Sequence, residues 1–406
     1  MRSRSTARVR AEQLRRRQPA HGAAGHPDGG ARIDGPTDRT EAGRRRSPPD
    51  GGPDRSRGGT TPRRVPEPTG PQRGHEPGRS APAVADREEA ASAMSDKQAR
   101  RIAKFIEPLR VEPGSVVDLA RDFDPRYKAG IKKRDGAGLL RTGVGLLAEY
   151  QARLAAQDTF GVLLCLQAID AGGKDGTIRH VMSGVNPQGV HVSSFKVPSA
   201  EELDHDYLWR YASRLPARGD IAIFNRSHYE EVLVVRVHPE NLDRQRLPAE
   251  AKGHDVWARR YREINDWERY LCDNGFRVVK VFLNLSEEEQ RTRFLKRIDL
   301  PEKNWKFSAA DLRERERWDD YQHAFSEMLS ATSTPWAPWY VVPADRKWFA
   351  RICAAAVLAH TLMEIDPRYP TVGKKARKEL RAAKRLLEQE APEGAARDPY
   401  AAGHRG

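Results

Sequence analysis

The first 93 residues of this 406-residue chain lack phenylalanine, tryptophan, tyrosine, cysteine and lysine. All 30 aromatic residues therefore lie in the remaining 313 positions, and a segment of Arg, Pro, Gly and Ser without them cannot build a packed core. We predict that residues 1–93 are a disordered extension, or a segment that lies upstream of a true start at Met94. A second interpretation is a nucleic-acid-binding or targeting arm, based on the clusters Arg15-Arg16-Arg17 and Arg44-Arg45-Arg46. However, a segment with many arginines and no lysine is more typical of codon bias than of a selected basic tract.

Cysteine and long apolar runs are also scarce. Cys165, Cys272 and Cys353 each lie in an apolar pattern, and no CxxC spacing occurs, which is typical of core cysteines in a reducing cytoplasm. No apolar run reaches the roughly 20 residues that span a bilayer, and the Arg-rich N-terminus has no apolar h-region of a secretory signal. We therefore expect a cytoplasmic protein without a membrane partner.

The formal charge of +14 divides equally between two unequal parts of the chain. Residues 1–93 contain 19 Arg against 12 acidic residues, and residues 94–406 contain 52 Lys and Arg against 45 acidic residues. The predicted folded part is therefore only mildly basic. This balance suits a polyanionic substrate in one channel better than a whole nucleic-acid-binding face.

Residues 159–180 combine a buried strand, a glycine-rich loop and the start of a helix. The apolar run from Phe160 to Leu166 is typical of a strand buried on both faces. The loop residues after it are Asp170, Ala171, Gly172, Gly173, Lys174, Asp175, Gly176 and Thr177. Glycines let backbone N–H groups surround an anion, and the helix N-terminus and Lys174 add positive charge. We predict a phosphate-binding loop; an ordinary strand-to-helix turn is the alternative, because Ala168 and Asp175 depart from GxxxxGK[ST].

Strand and helix patterns alternate through the rest of the chain. Strands are predicted at residues 191–197, 220–224, 277–285 and 339–342. Helices are predicted at 97–106, 141–156, 201–215, 255–274, 308–329 and 346–365. A basic loop is predicted through Lys132-Lys133-Arg134, and a capping box between Ser286 and Glu289. Strands separated by helices form parallel crossovers. We therefore predict an α/β fold: a three-layer α/β/α, P-loop kinase-like domain with a parallel sheet and a helical basic lid.

Two further motifs lie where ligands of such sheets bind. Asp170 and Asn225 both fall at carboxyl ends of predicted strands, so a metal would depend on Asp170, with Glu230 as a candidate second ligand, while Arg226 would neutralise phosphate. The stretch 291–307 is basic, crosses a Pro-containing loop and is predicted to be a lid that brings cations to phosphates. The alternatives are a solvated Arg226–Glu230 ion pair and a basic surface helix.

Together these motifs resemble the polyphosphate kinase 2 family. The resemblance is carried by Gln-Ala-Ile-Asp170-Ala-Gly-Gly-Lys174-Asp-Gly-Thr, Ser183-Gly-Val-Asn-Pro-Gln-Gly189, residues 198–210, residues 225–239 and the lid stretch to Phe307, and it covers about residues 100–368. It implies reversible transfer of the terminal phosphoryl group of inorganic polyphosphate to a nucleoside phosphate, with Mg²⁺. By this resemblance Asp170 would orient Mg²⁺ and the attacking phosphate, Lys174 would grip phosphates, and Arg226 would bridge donor and acceptor.

The same resemblance implies a polyphosphate channel and an acceptor preference. The channel residues would be Arg236, Arg293, Lys296, Arg297, Lys303 and Lys306. Glu230, in place of the Asn of other subgroups, resembles the subgroup that accepts AMP as well as ADP, whereas Asn225 departs from the Asp of some subgroups. Direct in-line transfer explains the loop better than a phosphohistidine intermediate.

Two other functions stay open from the sequence. An ATP-dependent nucleoside monophosphate kinase shares the strand, phosphate loop and basic lid. A nucleic-acid-binding protein would use the Arg-rich extension, but the chain has no interleaved aromatic and basic module.

We expect an adaptor at 94–158, a core at 159–368 with its lid at 286–330, and a charged tail at 369–406. We also expect no nucleic-acid partner and a homo-oligomer formed through exposed helices.

Overall fold

A five-stranded parallel sheet forms the centre of the fold. The computed structural model describes residues 96–393, 396 and 398, so the predicted extension at 1–93 lies outside the described residues. The strands are β1 Gly161–Gln167, β2 Val190–Ser194, β3 Ile221–Asn225, β4 Phe276–Asn284 and β5 Trp339–Pro343. Their order across the sheet is β2-β3-β1-β4-β5, and every neighbouring pair is parallel.

Seven longer helices are present in the described part of the chain. They are α1 Lys133–Gln157, α2 Lys174–Val181, α3 Val256–Asp273, α4 Glu287–Asp299, α5 Trp318–Thr332, α6 Lys347–Ile365 and α7 Lys374–Gln389. The shorter α-helices are Leu119–Asp122, Ala200–Asp204, Trp209–Ala212, Val234–Val237, Glu240–Arg244, Pro301–Asn304 and Ala309–Arg315, and 3-10 turns lie at Glu107–Leu109, Pro187–Gly189, His228–Val232 and Ala249–Lys252. Residues 96–106 are helical as well, as predicted.

Helices cover both faces of the sheet. Val162 and Leu164 of β1 pack in an apolar cluster with side chains of α1, α5 and α6. Leu163 and Cys165 point to the other face and pack in a second cluster with Leu271 of α3. This alternation explains why all seven residues of β1 are buried, and it confirms the predicted three-layer α/β/α fold.

The strand predictions agree with the structure to within three residues at each end. The largest difference is at the second strand, which ends at Ser194 rather than at Val197. The predicted helices at 255–274 and 346–365 are confirmed as α3 and α6. These elements have long apolar patterns, and burial of those patterns is what fixes them.

Helix α1 begins eight residues before the predicted start, so the predicted loop at Lys133 and Arg134 is wrong. The added residues include Gly136 and Gly138, which disfavour an isolated helix. Gly136 instead provides close packing, because a Cβ atom at that position would lie 2.8 Å from the Trp348 ring of α6. Packing against α6 therefore overrides local propensity.

Two predicted helices are each divided in the structure. The helix predicted at 201–215 becomes Ala200–Asp204 and Trp209–Ala212, because Asp206 accepts a hydrogen bond from the Leu208 N–H at 2.9 Å and so forms a turn. The helix predicted at 308–329 divides between Ala309–Arg315 and α5. Arg315 donates to the Gln290 side chain of α4 at 2.8 Å. This hydrogen bond holds the short helix Ala309–Arg315 against α4.

The capping box predicted at the start of α4 is only half correct. Ser286 accepts a hydrogen bond from the Glu289 N–H at 3.2 Å. Its own N–H donates to Asp345 Oδ1 at 2.8 Å, while the Glu289 carboxylate accepts from Arg293 Nε at 2.8 Å. The partner from beyond β5 could not be predicted from local spacing.

Helix α6 is long and apolar enough to pass a test for a membrane-spanning helix by length and composition. However, 67% of that window is buried inside the protein, in the cluster that covers one face of the sheet. Its apolar character is accounted for by packing in this core.

Candidate functional site

The phosphate loop connects the carboxyl end of β1 to α2. Lys174 donates from Nζ to the Ala168 carbonyl at 2.7 Å, which closes the loop. Ala171 and Gly173 have φ values of 61° and 102°, the left-handed region that costs energy for alanine. Gly172 packs so closely that a Cβ atom there would lie 2.5 Å from the Ala168 Cβ. The loop therefore has a fixed, locally strained shape.

Arg226, at the carboxyl end of β3, joins the second motif to the phosphate loop. Its Nη2 donates to Asp170 Oδ1 at 2.8 Å, and its Nη1 donates to Glu230 Oε2 at 3.0 Å. Asn225 Nδ2 donates to Asp175 Oδ1 at 3.0 Å. Because β1 and β3 are adjacent parallel strands, their carboxyl ends bring all four predicted catalytic residues, Lys174 included, to one place.

A fully buried polar network supports the segment between Arg226 and Glu230. His228 Nε2 lies 3.1 Å from Glu268 Oε1, and the Tyr229 hydroxyl donates to the same oxygen at 2.7 Å. Lys280 of β4 donates to Glu268 Oε2 at 2.6 Å and to the Thr332 carbonyl at 2.6 Å. Burial lowers the pKa of Lys280; burial also raises the pKa of Glu268, but Lys280 and His228 outweigh it and leave that pKa below its ordinary value.

Sequence reasoning missed this network. Lys280 lies within the apolar pattern of a strand and Glu268 within a charged helix, so no local signal links them. Because both side chains have 0% exposure, removing one would leave an unpaired buried charge. The network fixes the backbone from which Arg226 and Glu230 extend.

The predicted lid residues differ in what they contact. Arg293 is buried and donates to the Ala171 and Gly172 carbonyls at 2.9 Å each, so it clamps the phosphate loop. Arg297 donates to Asp311 Oδ2 at 3.0 Å, and Lys306 Nζ lies 3.5 Å from Asp175 Oδ2. These contacts draw the stretch 291–307 over the loop.

Arg236 lies apart from the other predicted channel residues. It forms an ion pair with Glu327 and donates to the Tyr261 hydroxyl at 3.0 Å. Its guanidinium lies 5.7 Å from the centre of the Trp257 ring. It does not line the cavity in which the remaining predicted residues meet.

That cavity has a volume of about 1360 Å³ and a strongly cationic wall. Thirteen basic and five acidic side chains line it. The basic residues that sequence reasoning did not single out as site residues are Arg179, Lys196, Arg210, Arg244, Lys347 and Arg351. The wall also contains apolar side chains, namely Phe195, Val197, Pro198, Leu203, Val234 and Val235. Arg179, Pro198, Leu203, Arg210, Val234 and Val235 fell in the quoted stretches, and the others come together through the fold.

A second basic groove adjoins the cavity. It has a volume of about 730 Å³ and shares Lys296, Lys347 and Arg351 with the first cavity. Its other basic residues are Lys128, Lys132, Lys133 and Arg346. The two spaces together form a continuous cation-lined path from the phosphate loop to the start of α1.

Burial and neighbouring charges change several pKa values in the cavity. Burial and the nearby Arg226 lower the pKa of Lys174 to about 8, although Asp170 opposes this. Burial and Arg293 lower the pKa of Lys347. Glu230 raises the pKa of Arg226 above its ordinary value. An anion bound beside these lysines would favour their protonated forms.

Asp170 fits the role of a magnesium ligand. The described part of the chain holds no group of three or more His, Cys, Asp or Glu side chains that could hold a metal ion. Mg²⁺ in phosphoryl-transfer sites is usually held by one or two carboxylates and the substrate phosphates, so such a group is not needed. Asp170 uses Oδ1 for Arg226 and keeps a 29% exposed carboxylate beside the cavity.

The parallel sheet, the phosphate loop after its first strand and the cationic cavity at the strand ends define a P-loop kinase-like protein. The family described as polyphosphate kinase 2 matches residues 131–370. The chain belongs to this family.

Individual relatives agree with this assignment. The chain is 52% identical over 275 residues to the ADP-polyphosphate phosphotransferase of Rhodopseudomonas palustris. This match covers 67% of this chain and 94% of that protein. It is 45% identical over 263 residues to the AMP/ADP-polyphosphate phosphotransferase of Meiothermus ruber, covering 64% and 94% respectively. It also resembles the crystal structure of polyphosphate kinase 2 from Arthrobacter aurescens, with a TM-score of 0.61, 41% identity, and coverage of 68% of this chain and 95% of that one.

Proposed function

We propose that this protein transfers the terminal phosphoryl group of inorganic polyphosphate to AMP and ADP, reversibly, with Mg²⁺. The observation that carries the proposal is the cavity itself, in which thirteen basic side chains meet the phosphate loop. That number exceeds the needs of one nucleotide and suits a chain of phosphates. The named activities of the Rhodopseudomonas palustris and Meiothermus ruber relatives support the same reaction.

In this proposal the four central residues align two phosphates for in-line transfer. An oxygen of the acceptor phosphate attacks the terminal phosphorus of polyphosphate, and the bond to the bridging oxygen breaks, so the shortened chain leaves as an oxyanion. Arg226 contacts Asp170 and Glu230, which supports a role in neutralising charge between donor and acceptor. Lys174 holds the phosphates at the loop. Bound at Asp170, Mg²⁺ would supply charge neutralisation on the phosphate oxygens.

The two kinds of side chain that line the cavity suit the two substrates. The basic residues Lys296 and Lys347 line both the cavity and the second basic groove. We propose that polyphosphate follows this path and that the lid residues Arg297 and Lys306 exchange their carboxylate partners for phosphates. The apolar side chains of the cavity wall, such as Phe195 and Val197, provide a surface on which a nucleoside can pack.

Other aspects of the function stay predictions. The three cysteines are free, which is compatible with the proposed reducing cytoplasm. A homo-oligomer and the division into adaptor, core, lid and tail are proposals of the same standing. The ATP-dependent nucleoside monophosphate kinase is the alternative that an assay must separate.

The test is nucleotide formation by the full-length chain with Mg²⁺ and long-chain polyphosphate, supplied with AMP or ADP separately and without ATP. We expect ADP and ATP from AMP, and ATP from ADP. Asp170→Asn is the inactive control, with an expected loss of roughly 100-fold or more in kcat. Transfer that occurs only when ATP is supplied to a monophosphate would instead identify an ordinary nucleotide kinase.

A further inference from the structure

Helix α7 is an exposed element beyond the part of the chain that matches the family. The family match ends at residue 370, whereas α7 spans Lys374–Gln389 and contains no buried residue. Leu380, Leu386 and Leu387 are 59%, 61% and 67% exposed. A helix with leucines this exposed gains little from the core, so its apolar side chains need another explanation.

The residues of α7 are segregated into two faces. Ala376, Leu380, Ala383 and Leu387 are spaced by four, three and four residues, which places them in one stripe along the helix. The basic residues of α7 are Lys374, Lys375, Arg377, Lys378, Arg381, Lys384 and Arg385, against two acidic residues, Glu379 and Glu388. At 100° per residue, Lys374, Lys378, Arg381 and Arg385 lie on the side opposite the stripe.

Charge decides which partner fits this helix. Pairing with α7 of a second copy would bring two sets of seven basic residues together, which is repulsive. Polyphosphate would satisfy the basic face but would leave the apolar stripe without a function. An anionic lipid surface satisfies both, because leucines enter the acyl boundary while lysines and arginines contact headgroups.

In contrast to the expectation from the sequence that the protein has no membrane partner, we propose that α7 is a docking surface for anionic lipid bilayers, which it binds reversibly in the plane of the headgroups. The phosphotransferase core would then work at the membrane surface without any segment crossing the bilayer. This surface is separate from the cationic cavity, and the proposal does not depend on the proposed activity.

The test is co-sedimentation of the full-length chain with vesicles of phosphatidylcholine containing 40% phosphatidylglycerol, compared with phosphatidylcholine alone. We expect binding to the anionic vesicles only, weakened by added salt. Leu387→Ser should lower the partition coefficient by roughly tenfold, because the stripe loses its largest apolar contact. Leu386→Ser is the matched control: it is the adjacent leucine of similar exposure but lies outside the stripe, and it should have a much smaller effect.

Several results would overturn the proposal. Equal binding of Leu387→Ser and the wild-type chain would place the lipid contact elsewhere, for example in residues 1–93. Absence of vesicle binding would also overturn it, and two measurements then identify the occupant. A mass by light scattering that falls in Leu387→Ser would show a second copy, and long-chain polyphosphate binding that is weakened by K378E/R381E but not by Leu387→Ser would show polyphosphate.

Discussion

The amine of Lys174 lies half-buried at the start of α2, where it contacts the Ala168 carbonyl and faces the guanidinium of Arg226. A lysine in such a place loses its proton at lower pH than an exposed lysine. Phosphates would restore the balance of charge when they bind. The protonated form of Lys174 is therefore more stable when phosphates are bound than in the free enzyme.

We expect kcat/KM to fall as pH rises through about 8, because burial and Arg226 lower the pKa of Lys174 to about 8 in the free enzyme and only the protonated amine neutralises phosphate. Lys174→Arg is the comparison, since a guanidinium stays protonated over this range. Its rate should be lower, but the fall near pH 8 should disappear. A pH profile of Lys174→Arg with the same fall would assign that ionisation to another group.

Glu230 is the residue through which acceptor choice can be tested. Its carboxylate accepts from Arg226 Nη1 at 3.0 Å, so Glu230→Asn removes a negative charge beside Arg226, for which we propose a bridging role between donor and acceptor. Because AMP and ADP differ in charge, we expect the ratio of kcat/KM for AMP to that for ADP to fall about tenfold, or about 1.4 kcal/mol. Steady-state kinetics with each acceptor measure this ratio. An unchanged ratio would contradict the role of Glu230.

At the scale of elements, apolar periodicity was sufficient to predict the sheet. Strands β1, β3 and β4 are buried on both faces, and their runs of Val, Ile, Leu and Phe have no other stable arrangement. Because the motifs follow these strands directly, the meeting of Asp170 with Arg226 could also be predicted. The parallel order of the sheet then brings the two loops together.

Contacts between distant elements could not be predicted in the same way. The glycine-containing start of α1 is helical because Gly136 packs on Trp348, and no local signal indicates that partner. Arg293 was predicted to line a channel and does line the cavity, but its hydrogen bonds to the carbonyls of the phosphate loop were not predicted. In both cases the deciding contact joins residues more than a hundred positions apart.

The start of α1 also gives a test of the path proposed for polyphosphate. Lys132 and Lys133 line the second groove but not the first cavity, so they can reach only a chain long enough to leave the transfer site. For K132A/K133A we expect KM for long-chain polyphosphate to rise about tenfold, with kcat unchanged and KM for tripolyphosphate unchanged. K374A/K375A is the matched control, an adjacent lysine pair on α7. Equal effects on long and short donors would exclude the groove from the path.

For the whole molecule, the distribution of charge matters more than its sum. The net charge of +14 is shared with residues 1–93, and many basic side chains of the core form ion pairs with neighbouring carboxylates. In the cavity, by contrast, basic side chains outnumber acidic ones thirteen to five. A mildly basic protein can therefore concentrate a strong positive potential in one cleft.

This concentration of charge predicts a different salt dependence for the two substrates. A polyanion that contacts many cations releases many counterions on binding, so its affinity falls steeply with salt, whereas a nucleotide with few phosphates makes few such contacts. Between 50 mM and 200 mM salt we expect KM for long-chain polyphosphate to rise roughly tenfold or more, and KM for ADP to rise much less. Both constants are measured in one salt series at fixed free Mg²⁺, with sucrose of matched osmolality as the control for non-ionic effects. Parallel increases in the two KM values would mean that the basic path does not hold the donor, because the extra cations of the second groove would then contribute nothing to its binding.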